Sequence, residues 1–233
     1  MALGFINAFK DRTLKGRVLK GRVLKGRGAA AGPKPRGAGA AVGDILVPPV
    51  AAPSRPALVI LAHPALHRSR ANAALIGAMK GRSDVTVHDL YRQYPDFLID
   101  VEAEQKKLLA HRLIVLQYPM YWYATPALLK EWFDTVLLYG FAFGRGGTRL
   151  HGKTLLVAMT TGGDRDAYHP SGINRFPITD LLRPVEATAH LCGLAWAEPF
   201  IVHDAVRMDD DARAAAAGVY DARVGALITA TGS

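Results

Sequence analysis

The chain has 233 residues, half of them hydrophobic, with a formal net charge of +9. That length fits one domain of ordinary size plus an appendage, and no apolar run reaches the ~18–20 residues that span a membrane. A lone cysteine, Cys192, excludes an intramolecular disulfide framework and suits a reducing compartment.

The charge is confined to one end. Residues 1–56 hold 11 basic and 2 acidic residues, whereas 57–233 hold 18 of each. A nucleic-acid or membrane-surface argument from charge therefore applies to the first segment alone. Leu14-Lys15-Gly16-Arg17-Val18 is repeated from Leu19, and its first four residues again from Leu24, where Gly28 takes the fifth place. A period of five turns each repeat by ~140° on a helix, so the leucines share no face, and each repeat carries a glycine. Gly28 to Pro56 is rich in Ala, Gly and Pro, as linkers are. Residues 1–56 thus read as a disordered basic tail and linker, with contact to an anionic surface as the functional alternative. A start codon placed too early is a third reading, although no Met lies near residue 57. Met1–Phe9 is apolar, but its basic flank follows it, so no secretory signal is expected.

From residue 57 onward strands and helices alternate. Leu58–Ala62 is an unbroken apolar run, as in a strand buried on both faces. A helix follows over Ser69–Lys80, with Ser69 as its N-cap. Asp84–Leu90 alternates Val85 and Val87 with Thr86 and His88, a strand with one exposed side. Val101–Ala110 is helical, Leu113–Leu116 is a second buried strand, and Pro126–Tyr139 is a helix with Pro in its first turn. Thr154–Met159 is a third apolar strand. Ile178–Leu191 is a helix closed by Gly193. Trp196–Val202 is an edge strand because it contains Pro199, and Asp209–Ile228 is a last helix opened by acidic residues. Five strands alternating with helices predict a doubly covered parallel sheet. In the order 2-1-3-4-5 the first, third and fourth strands are neighbours, and their carboxyl ends meet at one edge.

Three loops at that edge carry chemistry. His63 to Asn72 surrounds a helix start with Arg68, Ser69, Arg70 and Asn72, a setting for an anion or an ordinary N-cap. His63 is then a phosphate neighbour, or a capped core histidine. Tyr121-Trp122-Tyr123, after Pro119-Met120, suits a flat ring that stacks, or a hydrophobic lid or dimer surface. Thr160-Thr161-Gly162-Gly163 lets backbone amides approach a ligand, and Tyr168 and His169 follow within reach, able to stabilise negative charge on a reduced ring. No G-x-G-x-x-G follows a strand, and no Walker loop, H-E-x-x-H or C-x-x-C occurs. No metal site is expected, since His63 and His67 straddle a Pro-containing turn. Cys192 is expected to be a small buried residue rather than a nucleophile.

As a set, these residues resemble one family. Ala62-His63-Pro64, Ser69-Arg70-Ala71-Asn72, the run Leu90 to Phe97, Pro119 to Tyr123, Pro126 to Trp132, Gly146 to Lys153, Thr160 to Gly163 and Cys192 to Trp196 occur in order over nearly all of 57–200. Residues 57–233 thereby resemble the NAD(P)H:quinone oxidoreductases of flavodoxin-like fold, in particular the ancillary subunits of glutathione-regulated potassium-efflux systems. The tail has no counterpart there.

The resemblance implies an α/β three-layer sandwich, a five-stranded parallel sheet in order 2-1-3-4-5, and noncovalent FMN, or FAD in related members. It places flavin contacts on His63, on Ser69, Arg70, Ala71 and Asn72, on Met120, Tyr121, Trp122 and Tyr123, and on Thr160, Thr161, Gly162 and Gly163. It implies NAD(P)H as co-substrate, quinone as acceptor, a homodimer, and a potassium-efflux membrane protein as partner. The expected location is cytoplasmic, or peripheral at the inner face of the cell membrane. In animal relatives a Tyr five residues past the second Gly, and a His six further on, balance charge at the flavin. Tyr168 matches the first; Asn174 departs from the second, and His169 is the expected substitute.

Overall fold

The computed structural model describes residues 56–232, so the basic tail and linker expected over 1–56 lie outside the described residues, except Pro56. Six strands form the sheet: β1 (Ala57–Leu61), β2 (Val85–Asp89), β3 (Leu113–Pro119), β4 (Thr154–Thr160), β5 (Ala195–Trp196) and β6 (Phe200–Val202). All pairings are parallel, in the order β2-β1-β3-β4-β5, with β6 also paired to β4. The helices are α1 (Arg70–Lys80), α2 (Leu90–Gln93), α3 (Val101–Ala110), α4 (Ala127–Val136), α5 (Ile178–Leu191) and α6 (Asp210–Gly232).

Strand β1 is buried along its whole length and divides two cores by its alternation. Leu58 and Ile60 join Leu108, Trp132 and Val185 on the α3–α5 side; Val59 and Leu61 join Leu75, Met79 and Tyr220 on the α1/α6 side. Each fully buried aliphatic side chain contributes about 1.5–3 kcal/mol. The sheet is therefore clad on both faces, and loop chemistry is left to its edges.

Several boundaries differ from expectation. The edge strand 196–202 is split: β5 and β6 each pair with β4, separated by Ala197–Pro199, where Pro199 has no N–H to give a ladder. Strand β3 runs on to Pro119, carrying Gln117 and Tyr118 into the buried sheet. Helix α4 starts at Ala127, with Pro126 as its cap, and ends at Val136. Ser69 is the α1 N-cap, as expected, accepting from the Asn72 N–H. His88 was expected on the exposed side of β2 but is buried, because the buried carboxylate of Glu104 faces it at 2.9 Å. Cys192 is buried, and burial pushes its thiol up to about 11, which leaves it unreactive.

Candidate functional site

The carboxyl ends of β1, β3 and β4 open into two adjoining clefts. The first, about 540 Å³, lies between the β1–α1 loop, the β3 end, the β4 end and Ala205–Val206. The second, about 310 Å³, lies between Met120, Trp122 and Tyr123 on one side and Ala167, Tyr168, Ile173 and Asn174 on the other. Met120 and Gly162 line both.

The first cleft is built for an anion. Arg68, Ser69, Arg70 and Ala71 border it at the N-terminus of α1, and no acidic residue lines it. No ion pair holds Arg68 or Arg70 among the described residues. Unpaired helix N–H groups and two guanidinium groups together favour negative charge. His63 is buried and stands edge-on to Tyr121, with ring centroids 6.4 Å apart. Its Nδ1 accepts from the Ala65 N–H at 3.0 Å, and burial lowers its pKa. The neutral ring therefore carries its proton on Nε2.

Asn72 was expected to touch the ligand. It lies instead beneath the cleft, 1% exposed and not among the lining residues. Its Nδ2 donates to Thr160 Oγ1 at 2.9 Å and to Ser69 Oγ at 3.3 Å, and its carbonyl accepts from Gln117 Nε2 at 3.1 Å. Asn72 thus ties the α1 N-terminus to β3 and β4. Thr161 lines the cleft but is nearly fully buried, and its hydroxyl donates to Gly163 O at 2.8 Å.

The aromatic loop is a tight hairpin. Tyr121 and Ala124 exchange two backbone hydrogen bonds of 3.0 Å across Trp122 and Tyr123. Both central residues are left-handed, at φ 49° and 62°, where Asn-Gly is the usual choice. Such backbone costs about 1–3 kcal/mol per residue and is characteristic of functional positions. Arg175 and Asp204, in neighbouring loops, are left-handed too. The hairpin holds Tyr121 and Tyr123 half out of the protein and Trp122 94% exposed.

The β4 loop supplies the floor. Gly162 faces open space, whereas a Cβ on Gly163 would lie 3.2 Å from both Ala167 and the Tyr168 ring. Tyr168 lines the second cleft, as sequence spacing suggested, but His169 does not: it is exposed and turned to Ser171 Oγ at 2.8 Å. Asn174 occupies the wall instead. The structure also brings in His203, Ala205 and Val206, which sequence reasoning missed. His203 follows β6, its Nδ1 is 3.3 Å from Thr161 Oγ1, and its ring centroid is 5.8 Å from that of Tyr168. Burial lowers its pKa, with Arg165 adding to the effect. Only the pairing of β6 with β4 reveals these neighbours.

The model of the flavodoxin-like fold family matches residues 56–224. The chain belongs to that family. Among its flavodoxin-like relatives is the glutathione-regulated potassium-efflux system ancillary protein KefG of Pectobacterium carotovorum, 49% identical over 163 residues, covering 70% of this chain and 89% of that protein. A solved structure of general stress protein 14 from Treponema denticola, in complex with FMN, is 37% identical with a TM-score of 0.70, covering 73% and 98% of the two chains. A solved NADPH-quinone reductase from P. pentosaceus is 35% identical with a TM-score of 0.65, covering 71% and 95%. Among the described residues no helix is long and apolar enough to cross a membrane.

Proposed function

We propose that this protein is a flavin-dependent oxidoreductase that passes two electrons from NAD(P)H to a quinone. The observation that carries the reading is the pair of adjoining clefts. One is cationic, closed by a helix N-terminus and without a carboxylate; the other is aromatic, with a glycine floor. A molecule with a phosphate at one end and a planar ring at the other fits that division, and the volumes are those of cofactor sites. FMN is the ligand this favours, with FAD as the alternative. The FMN complex of the Treponema relative and the name of the P. pentosaceus reductase support the reading.

Arg68, Arg70, Ser69 and the amides at the start of α1 would hold the phosphate, with the Ala71 backbone beside them. Met120 and the hairpin Tyr121–Tyr123 would border the ring, and His63 Nε2–H would donate at the junction. Thr160 and Thr161 would shape the turn that aims the Gly162 and Gly163 amides at the pyrimidine side. Tyr168, packed on Gly163, would donate from its phenol where negative charge develops. When bound, the flavin supplies the hydride chemistry; the protein supplies position and electrostatics. NAD(P)H and quinone would use the second cleft in turn.

Similarity to KefG supports a second role, as an ancillary subunit that binds a potassium-efflux membrane protein, with reductase activity secondary. The exposed aromatics Trp122, Tyr121 and Tyr123 favour a homodimer that covers the second cleft. Cytoplasmic residence, peripheral at the inner face of the membrane, fits both roles, and the basic tail over 1–56 would add an anionic-surface contact. The test is uptake of FMN by purified protein, followed by NAD(P)H consumption that depends on both FMN and added quinone. Protein that takes up neither FMN nor FAD contradicts the reading.

A further inference from the structure

Asn174 is fixed from several directions at the wall of the second cleft. Its N–H donates to Ala167 O at 3.0 Å, its carbonyl accepts from the Phe176 N–H at 2.8 Å, and its Oδ1 accepts from the Tyr123 hydroxyl at 3.1 Å. The loop around it is folded closely on itself: a Cβ on Gly172 would lie 2.2 Å from Asp166 O. With Oδ1 engaged by Tyr123, the remaining capacity of the carboxamide is its two Nδ2 donors. Nδ2 lies on the floor side, 3.6 Å from where a Cβ of Gly163 would stand. The other side chains around it, those of Met120, Trp122, Tyr123, Tyr168 and Ile173, are apolar or aromatic, and no charged side chain lines this cleft.

We propose that Asn174 determines which electron acceptor the cleft takes: its Nδ2–H donates to a carbonyl oxygen of a planar, uncharged acceptor lying against Gly162 and Gly163. The inference rests on the reductase reading. The conversion it serves is NAD(P)H plus one solvent proton plus quinone, giving NAD(P)⁺ and hydroquinone. The two electrons leave the nicotinamide with one proton as hydride, and both acceptor C=O groups become C–OH. Electron density rises on the carbonyl oxygens as this happens, so a donor held there strengthens toward the transition state. The Tyr123 hydroxyl orients the carboxamide, and the strained turn orients Tyr123. Tyr123 is thus a positioning residue for Asn174.

The test uses the full chain loaded with FMN and measures three affinities by equilibrium dialysis: FMN, 1,4-naphthoquinone, and naphthalene. Naphthalene has the same ring outline without carbonyl oxygens. Asn174→Asp keeps the shape and replaces the donor with a carboxylate; Tyr123→Phe leaves Asn174 in place and frees its carboxamide to rotate. In Asn174→Asp FMN affinity is expected within about twofold of wild type. Naphthoquinone affinity is expected to fall about tenfold in Asn174→Asp and about threefold in Tyr123→Phe, the range of one hydrogen bond. Naphthalene affinity is expected to stay constant. Wild-type naphthoquinone affinity in both variants, with FMN bound, overturns the assignment of Asn174 alone. So does an equal loss for naphthalene, which would make Asn174 a matter of shape. Wild-type protein that binds no flavin overturns the reductase reading and this inference together.

Discussion

Two polar clusters, one around Glu104 on α3 and one at the carboxyl edge of the sheet, differ in what is left over. Around Glu104 little is: both carboxylate oxygens are engaged, and only His88 Nε2, 2.9 Å from one of them, lacks a hydrogen bond. The carboxylate is fully buried and is met by the Tyr94 hydroxyl at 2.7 Å, the Trp132 indole N–H at 2.9 Å, Lys107 at 2.9 Å and His88 at 2.9 Å. Burial would raise its pKa, but the His88, Lys107 and Trp132 contacts outweigh that and hold it at about 2. At the carboxyl edge the opposite holds. The buried side chains there are bonded within the protein, Asn72 to Thr160 and Thr161 to Gly163, while Arg68, Arg70, Gly162 and Asn174 Nδ2 face a cleft. A saturated cluster holds the fold; one with spare donors is built for something else to complete it.

Breaking the saturated cluster has the largest expected effect. Glu104→Ala leaves Lys107 without its counter-charge and the Tyr94 and Trp132 donors without an acceptor, and urea unfolding is expected to show a loss of about 3–5 kcal/mol. FMN affinity of the protein that remains folded should be unchanged. The acid limb follows from the same carboxylate. Its folded pKa lies below the ordinary value of 4.5, so its stabilisation is fully present above that value. It is lost as pH falls from about 4.5 toward 2. Glu104→Gln should flatten this part of the stability–pH curve.

The open cluster should fail in binding rather than in folding. Replacing Arg68 and Arg70 together by Gln removes two charge-assisted contacts to phosphate, so FMN affinity is expected to fall about a hundredfold or more. Riboflavin, which lacks the phosphate, should bind as before, and equal losses for both would place the phosphate elsewhere. The two glycines separate the regions on a finer scale. Gly162→Ala meets no protein atom, so it should leave the melting temperature unchanged and weaken FMN binding. Gly163→Ala presses on Ala167 and Tyr168 and should cost about 1–3 kcal/mol of stability.

The smallest effect is expected at the hairpin, and in the opposite direction. Trp122→Asn with Tyr123→Gly matches the left-handed turn and should raise stability by about 1 kcal/mol or more. Naphthoquinone binding should fall at the same time. A stabilised hairpin that retains wild-type ligand affinity would separate the strain from function.

Much of this division is legible in residue patterns. The apolar runs at Leu58–Ala62, Leu113–Leu116 and Thr154–Met159 mark doubly buried strands, and alternation with helices then limits the sheet order. The three strand-end loops are legible for the same reason, since their composition breaks sharply from those runs. What local pattern does not carry is pairing across the sheet. His88 looks exposed by alternation until Glu104, 16 residues later, covers it. His203 lies beside Thr161 only because Pro199 breaks the last strand and lets β6 pair with the far end of β4. Asn72 reads as a ligand contact from its place after Ser69, yet Gln117 and Thr160 hold it below the surface. His169 follows Tyr168 directly, but the turn to Ser171 carries it away and leaves Asn174 at the wall.

The central claim is that the two clefts together hold a working flavin. Its most direct test is the visible spectrum of the full chain loaded with FMN, followed anaerobically through NAD(P)H and then 1,4-naphthoquinone. The account predicts that the bound-flavin absorbance bleaches with NAD(P)H and returns in full on addition of the quinone. Bound flavin whose absorbance is unchanged by NADH and NADPH would contradict the reductase reading and leave the ancillary-subunit role as the better account of the site.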